Sequence, residues 1–319
     1  MTATPWIRIL RRSAAFLRRA VLPTVLLAAP LAAPADLAAQ APTPQADLLA
    51  RVRALGTPSS TDRLTVYYDR GHEAKAVRLR TLVQDALQFF ADSLGVSPEL
   101  SLAVLERSAW ERVINGQPYG IPGVEGIPPV AFLPATDDNL AANDALSIEA
   151  GISDSARKLV AAAGRTWADA SRRYVDLVGL HELGHVFAGA YGISVKSKWF
   201  NEWLATYFCY AYLRTARPKD ARLWEGILRG YTDAVRPEHR TIAAFERLYF
   251  GVGAQNYVWY QARFQQRVAA AYDVHGLSLL RALRKELPRG APPIASQDAL
   301  LARLDKLAPG FATWGAGMR

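Results

Sequence analysis

Two helical runs joined by a five-residue connection constrain this chain more than any other feature. SRRYVDLVGLHELGHVFAGAY (171–191) carries Tyr174, Leu177, Val178, His181 and His185 on overlapping turns, and Gly192 ends it. Ile193 to Ser197 form the connection, and Ser197 is the expected N-cap of KWFNEWLATYFCYAYLRTA (198–216), which Pro218 stops. A connection this short requires the helices to run antiparallel as neighbours. His185 and Glu202 each lie about five residues from the turn. At about 1.5 Å per residue, both stand roughly 7 to 8 Å from it and are therefore level.

Residues four apart stack on one helix face, so both imidazoles point the same way. Neutral imidazole nitrogen is a good zinc ligand, and Glu202 on the facing helix completes a His-His-Glu set. Three protein ligands leave a fourth position for water, as a catalytic zinc requires. Glu182 flanks the same face, within reach of such a water. Buried without a metal, two histidines and two glutamates would be costly in a dry helix pair, which disfavours a purely structural helical domain.

The rest of the chain reads as a small sheet followed by helices. LTVYYD (64–69), LSLAVLE (with Leu100) and VAFLPA (130–135) have strand patterning. EAKAVRLRTLVQDALQFFADSLG repeats apolar residues at helical spacing up to Gly95, and SAWERVING reads as a short helix capped by Ser108. Residues 135–153 are polar and unassigned, and from about 155 the pattern is helical. The expected fold is α+β: a small mixed β-sheet subdomain with helices over 62–190, then an all-helical subdomain over 191–310, with the HELGH helix at the junction. A cleft there would admit water and substrate. Pro128, Pro129 and Pro134 flank VAFLPA, which is compatible with an edge strand that accepts a peptide as well as with a core strand.

Charge needs care. The net +9 includes Arg8, Arg11, Arg12, Arg18 and Arg19, which precede the apolar, proline-broken stretch AVLPTVLLAAPLAAPA. A basic start, a short apolar run and small residues at Ala33-Pro34-Ala35 and Ala39-Gln40-Ala41 read as a cleavable export signal and the start of a linker over 1–41. The run falls short of the ~20 residues that span a bilayer, so no stable membrane anchor is expected after removal. The mature chain is then only mildly basic, and nucleic acid is not implied as a partner. Localisation is read as secreted or periplasmic. Cys209 is the only cysteine, so no intrachain disulfide forms, and its aromatic helix marks it as a small buried hydrophobe.

HELGH followed by WFNEWLA resembles the gluzincin metallopeptidases, the thermolysin and aminopeptidase N group, and the chain's size and order resemble their small stand-alone domains, called peptidase MA-like. The resemblance covers about residues 62–285, with its specific motifs between 181 and 207. It implies a zincin-like fold, His181, His185 and Glu202 as Zn2+ ligands, Glu182 as catalytic base, and a peptide or protein substrate. It also implies a tyrosine on a downstream helix as transition-state donor. Tyr257 is the first choice, with Tyr249 and Tyr260 as rivals. His239 and His275 are alternatives for a thermolysin-like histidine, each read as solvent-facing, and His72 has no site partner in view.

Three departures from the family pattern stand out. Thr206 occupies the place of the second-layer Asp of thermolysin relatives. GVEGIPPVAF (123–132) only faintly matches the aminopeptidase segment whose glutamate holds the substrate amino group, so Glu125 reads as a solvated loop residue. No long β-sandwich is present, which excludes the full aminopeptidase N architecture. The alternative function is a zinc-containing but catalytically idle module that binds peptide or envelope partners.

Overall fold

The computed structural model describes residues 48–55, 59–61 and 64–318. The arginine-rich start and the export-signal reading lie outside these residues. Among them, no helix is long and apolar enough to cross a membrane.

The chain is mixed α/β and mostly helical, around a small mixed sheet. Strands β1 (Ser59–Thr61), β2 (Leu64–Tyr68), β3 (Leu100–Leu105), β4 (Gly123–Glu125) and β5 (Val130–Pro134) lie in the order β1-β2-β3-β5-β4. β2, β3 and β5 are parallel, and the outer strands β1 and β4 pair antiparallel to their neighbours. Alternation along the strands divides the side chains between two cores. Leu64, Val66, Leu102, Val104, Ala131 and Leu133 face the main one. Tyr67, Ala103, Leu105, Val130 and Phe132 face a smaller one closed by helices α1 (Leu48–Arg53) and α3 (Arg107–Val113).

The main core is covered by α2 (Glu73–Leu94), which connects β2 to β3, and by α6 (Trp167–Tyr191) and α7 (Lys198–Ala216). Between β5 and α6 lie α4 (Leu140–Ser147) and α5 (Asp154–Ala162). Helices α8 (Pro218–Ala234), α9 (Ile242–Leu248), α10 (Ala254–His275), α11 (Ser278–Glu286), α12 (Gln297–Leu307) and α13 (Phe311–Ala316) follow α7. The apolar cluster runs without a break from Leu64 to Met318, so sheet and late helices share one interior.

Two open readings are settled and one needs correction. VAFLP is an interior strand, bonded on both sides; β4 takes the edge, and the flanking prolines sit at the strand ends, where no ladder donor is lost. Ser108 lies inside α3, whose N-cap is Glu106. Residues 140–147 of the unassigned stretch form α4, capped by the Asn139 side chain accepting from the Ala142 amide at 3.1 Å. That cap is local and legible; the polar surroundings obscured it.

Candidate metal centre

Helix α6 begins at a Thr166 cap and ends at Gly192, whose φ of 84° is the left-handed value glycine takes most easily. α7 begins where Ser197 Oγ accepts from the Phe200 amide. The Glu246 carboxylate adds to this cap, accepting from Ser197 Oγ at 2.7 Å and the Trp199 amide at 2.9 Å. A negative charge at a helix N-terminus is favourable. Downstream, α7 buries Trp199, Phe200, Trp203, Tyr207 and Phe208 completely, each worth about 1.5–3 kcal/mol of burial.

Two glycines set the position of α6. A Cβ on Gly179 would come within 2.4 Å of the Leu133 side chain on β5, and one on Gly184 within 2.2 Å of the Ala205 carbonyl oxygen on α7. Gly184 lies inside HELGH, and Ala205 is three residues after Glu202. Their close approach brings the two helices that carry His181, His185 and Glu202 together at the depth of the histidines. Five residues before His181, the buried Asp176 carboxylate is held by Arg173 at 2.5 Å and lies 3.8 Å from Lys75 Nζ on α2.

His181 Nε2 lies 3.1 Å from Glu202 Oε2, and His185 Nε2 lies 3.7 Å from Glu202 Oε1. One ligand atom from each of the three residues falls within 4.8 Å of the others. An ion bound tetrahedrally at about 2.0–2.1 Å holds its donors roughly 3.3 Å apart. The two measured separations bracket that value, so the cluster can bind a metal ion.

Further contacts surround the three residues. Thr206 Oγ1 stands 3.1 Å from His181 Nδ1. If Nε2 serves as ligand, the ring proton must sit on Nδ1, and Thr206 is its acceptor. The Tyr249 hydroxyl donates to Glu202 Oε1 at 2.5 Å, and the Gln261 amide donates to Oε2 at 2.7 Å. Tyr249 is also the one non-glycine residue at positive φ among the described residues, at φ 50° and ψ −116°. A side chain held there costs about 1–3 kcal/mol, a strain that tends to cluster at functional sites.

The electrostatics follow from burial and from Glu202. Burial alone would raise the Glu202 pKa, but the charge of His185, the bond and charge of His181, and the Tyr249 hydroxyl hold it well below the carboxylate range. Burial pulls His185 down to about 4 against the attraction of Glu202, so its ring is neutral at pH 7 and ready to ligate. For His181, burial acts downward, yet the hydrogen bond and charge of Glu202 raise it overall. Glu182, half-buried beside them, is pushed up to about 7, chiefly by burial and further by Glu202, while His181 acts against the rise.

The other expected residues separate clearly. The Tyr257 ring packs against Tyr249 with centroids 5.8 Å apart, and burial holds its phenol well above the ordinary pKa. Tyr260 instead donates to the Thr241 carbonyl at 2.9 Å. His275 ends α10, fourteen residues beyond Gln261, or about 21 Å along the helix. The His239 main chain is tied to Asn256, and its Nε2 lies 3.8 Å from Glu238. His72 bonds Glu106 at 2.6 Å, joining the start of α2 to the end of β3. Glu125 is exposed on β4. Cys209 is buried, its thiol pKa pushed up by burial.

Gln261 was missed by sequence reasoning. Its signal was a polar residue in phase with the apolar positions Phe264 and Val268 of α10; Gln265 is buried beside it. No family model, curated protein or solved structure matches this chain.

Proposed function

We propose that this protein is an exported, zinc-dependent metallopeptidase of gluzincin type with a zincin-like fold. The observation that carries the reading is the convergence of His181, His185 and Glu202 from two antiparallel helices, with Glu182 on the same helix as both histidines. Zinc held by these three residues would supply Lewis acidity to a peptide carbonyl and acidify a nearby water. Glu182 takes the proton from that water and delivers it to the leaving amine, and a pKa near neutrality suits both transfers. Tyr257 and Tyr249 are the candidate donors to the developing oxyanion. β4, at the sheet edge, has one unpaired side along which an extended peptide can add as a strand.

One observation favours a second reading, a zinc-containing module that binds peptides without cleaving them. The Tyr249 hydroxyl is occupied by Glu202. It is not free to face a substrate in this arrangement.

Metal analysis of the purified protein, followed by incubation with a broad peptide library and mass spectrometry, tests the proposal. One zinc per chain and chelator-sensitive cleavage are expected. A chain that takes up no zinc sinks both readings; a zinc-loaded chain that cleaves nothing leaves the binding module. Zinc at about 100 times its Kd should stabilise the chelator-treated protein by about 2.7 kcal/mol, read as a rise in Tm.

Thr206→Val removes the acceptor for His181 Nδ1 while keeping the shape. Zinc affinity is expected to fall about tenfold or more in a chelator-competition titration, and an unchanged Kd would show that Thr206 does not orient the ring.

A further inference from the structure

We infer that Gln261 and Tyr249 are positioning residues that clamp the Glu202 carboxylate from the side opposite the two histidines. This rests on the zinc reading above and concerns how this chain holds its third ligand. Each carboxylate oxygen offers two lone-pair sites. Oε1 accepts from Tyr249 at 2.5 Å and faces His185; Oε2 accepts from Gln261 at 2.7 Å and faces His181. With one donor on each oxygen, a second lone pair on each remains for the side of the histidines.

Both donors are anchored independently of Glu202. Gln261 is buried on α10, between Tyr257 and Gln265, and Gln265 accepts from the Trp224 indole at 2.9 Å. The neighbouring Tyr260 is tied to Thr241 at the start of α9. Tyr249 follows α9 directly, in a backbone conformation that a tyrosine adopts only when its surroundings impose it. Its ring packs against Phe245 of α9, Phe250 and Tyr257 of α10, and α7 adds one cation. Lys198 Nζ lies 5.4 Å over the Tyr249 ring and donates to the Glu246 carbonyl at 2.8 Å, while the Glu246 side chain caps α7. These contacts tie the Tyr249 segment to the first turn of α7, one turn before Glu202. A glutamate has three side-chain torsions, and two fixed donors remove the freedom that would otherwise let it turn away from an ion. By accepting two hydrogen bonds, the carboxylate also gives up part of its negative charge, which leaves a bound zinc a stronger Lewis acid.

The test uses the full chain after chelator treatment, with zinc affinity read by competition and ligand geometry read from the visible d–d absorption of Co2+ bound in place of zinc. Gln261→Met keeps length and helix preference but loses the donor. Zinc Kd is expected to rise about 10- to 100-fold, with faster dissociation and an altered cobalt spectrum. Tyr249→Phe, which removes one oxygen from a half-buried ring, should act in the same direction and carries the test if Gln261→Met does not fold. A folded variant that binds zinc within twofold of the native protein and keeps its cobalt spectrum overturns the clamp and leaves the zinc reading intact. A native chain that binds neither ion overturns both.

Discussion

Replacing Glu182 by glutamine is expected to cut peptide hydrolysis by about 10²- to 10⁴-fold, with zinc content unchanged. The amide cannot accept a proton from water, and Glu182 is outside the His181, His185 and Glu202 set, so metal uptake does not depend on it. Stability should move the other way. Burial and the neighbouring Glu202 make the ionised Glu182 unfavourable and push its pKa to about 7, so a neutral side chain of the same shape relieves that cost. The variant should therefore melt at or above the native Tm at pH 7, measured in chelator to remove any contribution of metal. Native-like hydrolysis by a zinc-loaded Glu182→Gln protein would remove Glu182 from the role of base. Equal inactivity of native and variant, both zinc-loaded, would favour the binding module.

Gly184→Ala is expected to break the site without touching a ligand. In an exposed helix this change would be favourable by up to about 1 kcal/mol. Here the new Cβ would meet the Ala205 oxygen at 2.2 Å, its carbonyl carbon at 2.8 Å and its Cα at 2.9 Å. All three are backbone atoms, which no rotamer change can clear, so α7 must shift. Overpacking of this kind costs about 1–3 kcal/mol, which outweighs the propensity gain. The shift carries Glu202 with it, and a metal site tolerates only about 0.2 Å of ligand displacement. A fall in zinc affinity of roughly 100-fold and a lower Tm are therefore expected. Gly189→Ala on the same helix is the control: its Cβ meets only Arg289 Nη2, at 3.9 Å, and zinc affinity should not change. If both alanine variants bind zinc equally well, the close approach at Gly184 does not set the ligand spacing.

The parts of this protein that local rules govern were readable from its sequence. Gly95, Gly192, Ser197 and Pro218 mark helix boundaries through backbone preference and capping, and the structure places the boundaries at those residues. The pairing of His185 with Glu202 followed from helix rise and loop length. What escaped were contacts between distant segments. Gln261 reaches Glu202 across 59 residues, and Tyr249 does so across 47, through a backbone conformation that its residue type disfavours. The interior position of β5 depends on a three-residue partner, β4, too short to show alternation. Thr206 stood out as a departure from a family pattern, and only packing brought its hydroxyl to the His181 ring.

The unbroken apolar interior shared by the sheet and the late helices carries one last implication. Two lobes that swing shut around a guest need a seam along which they can part, and opening one here would expose core side chains on both sides. For the peptide ligand proposed above, selection would then fall to surface groups such as the exposed Phe250 ring beside Tyr249 and Tyr257.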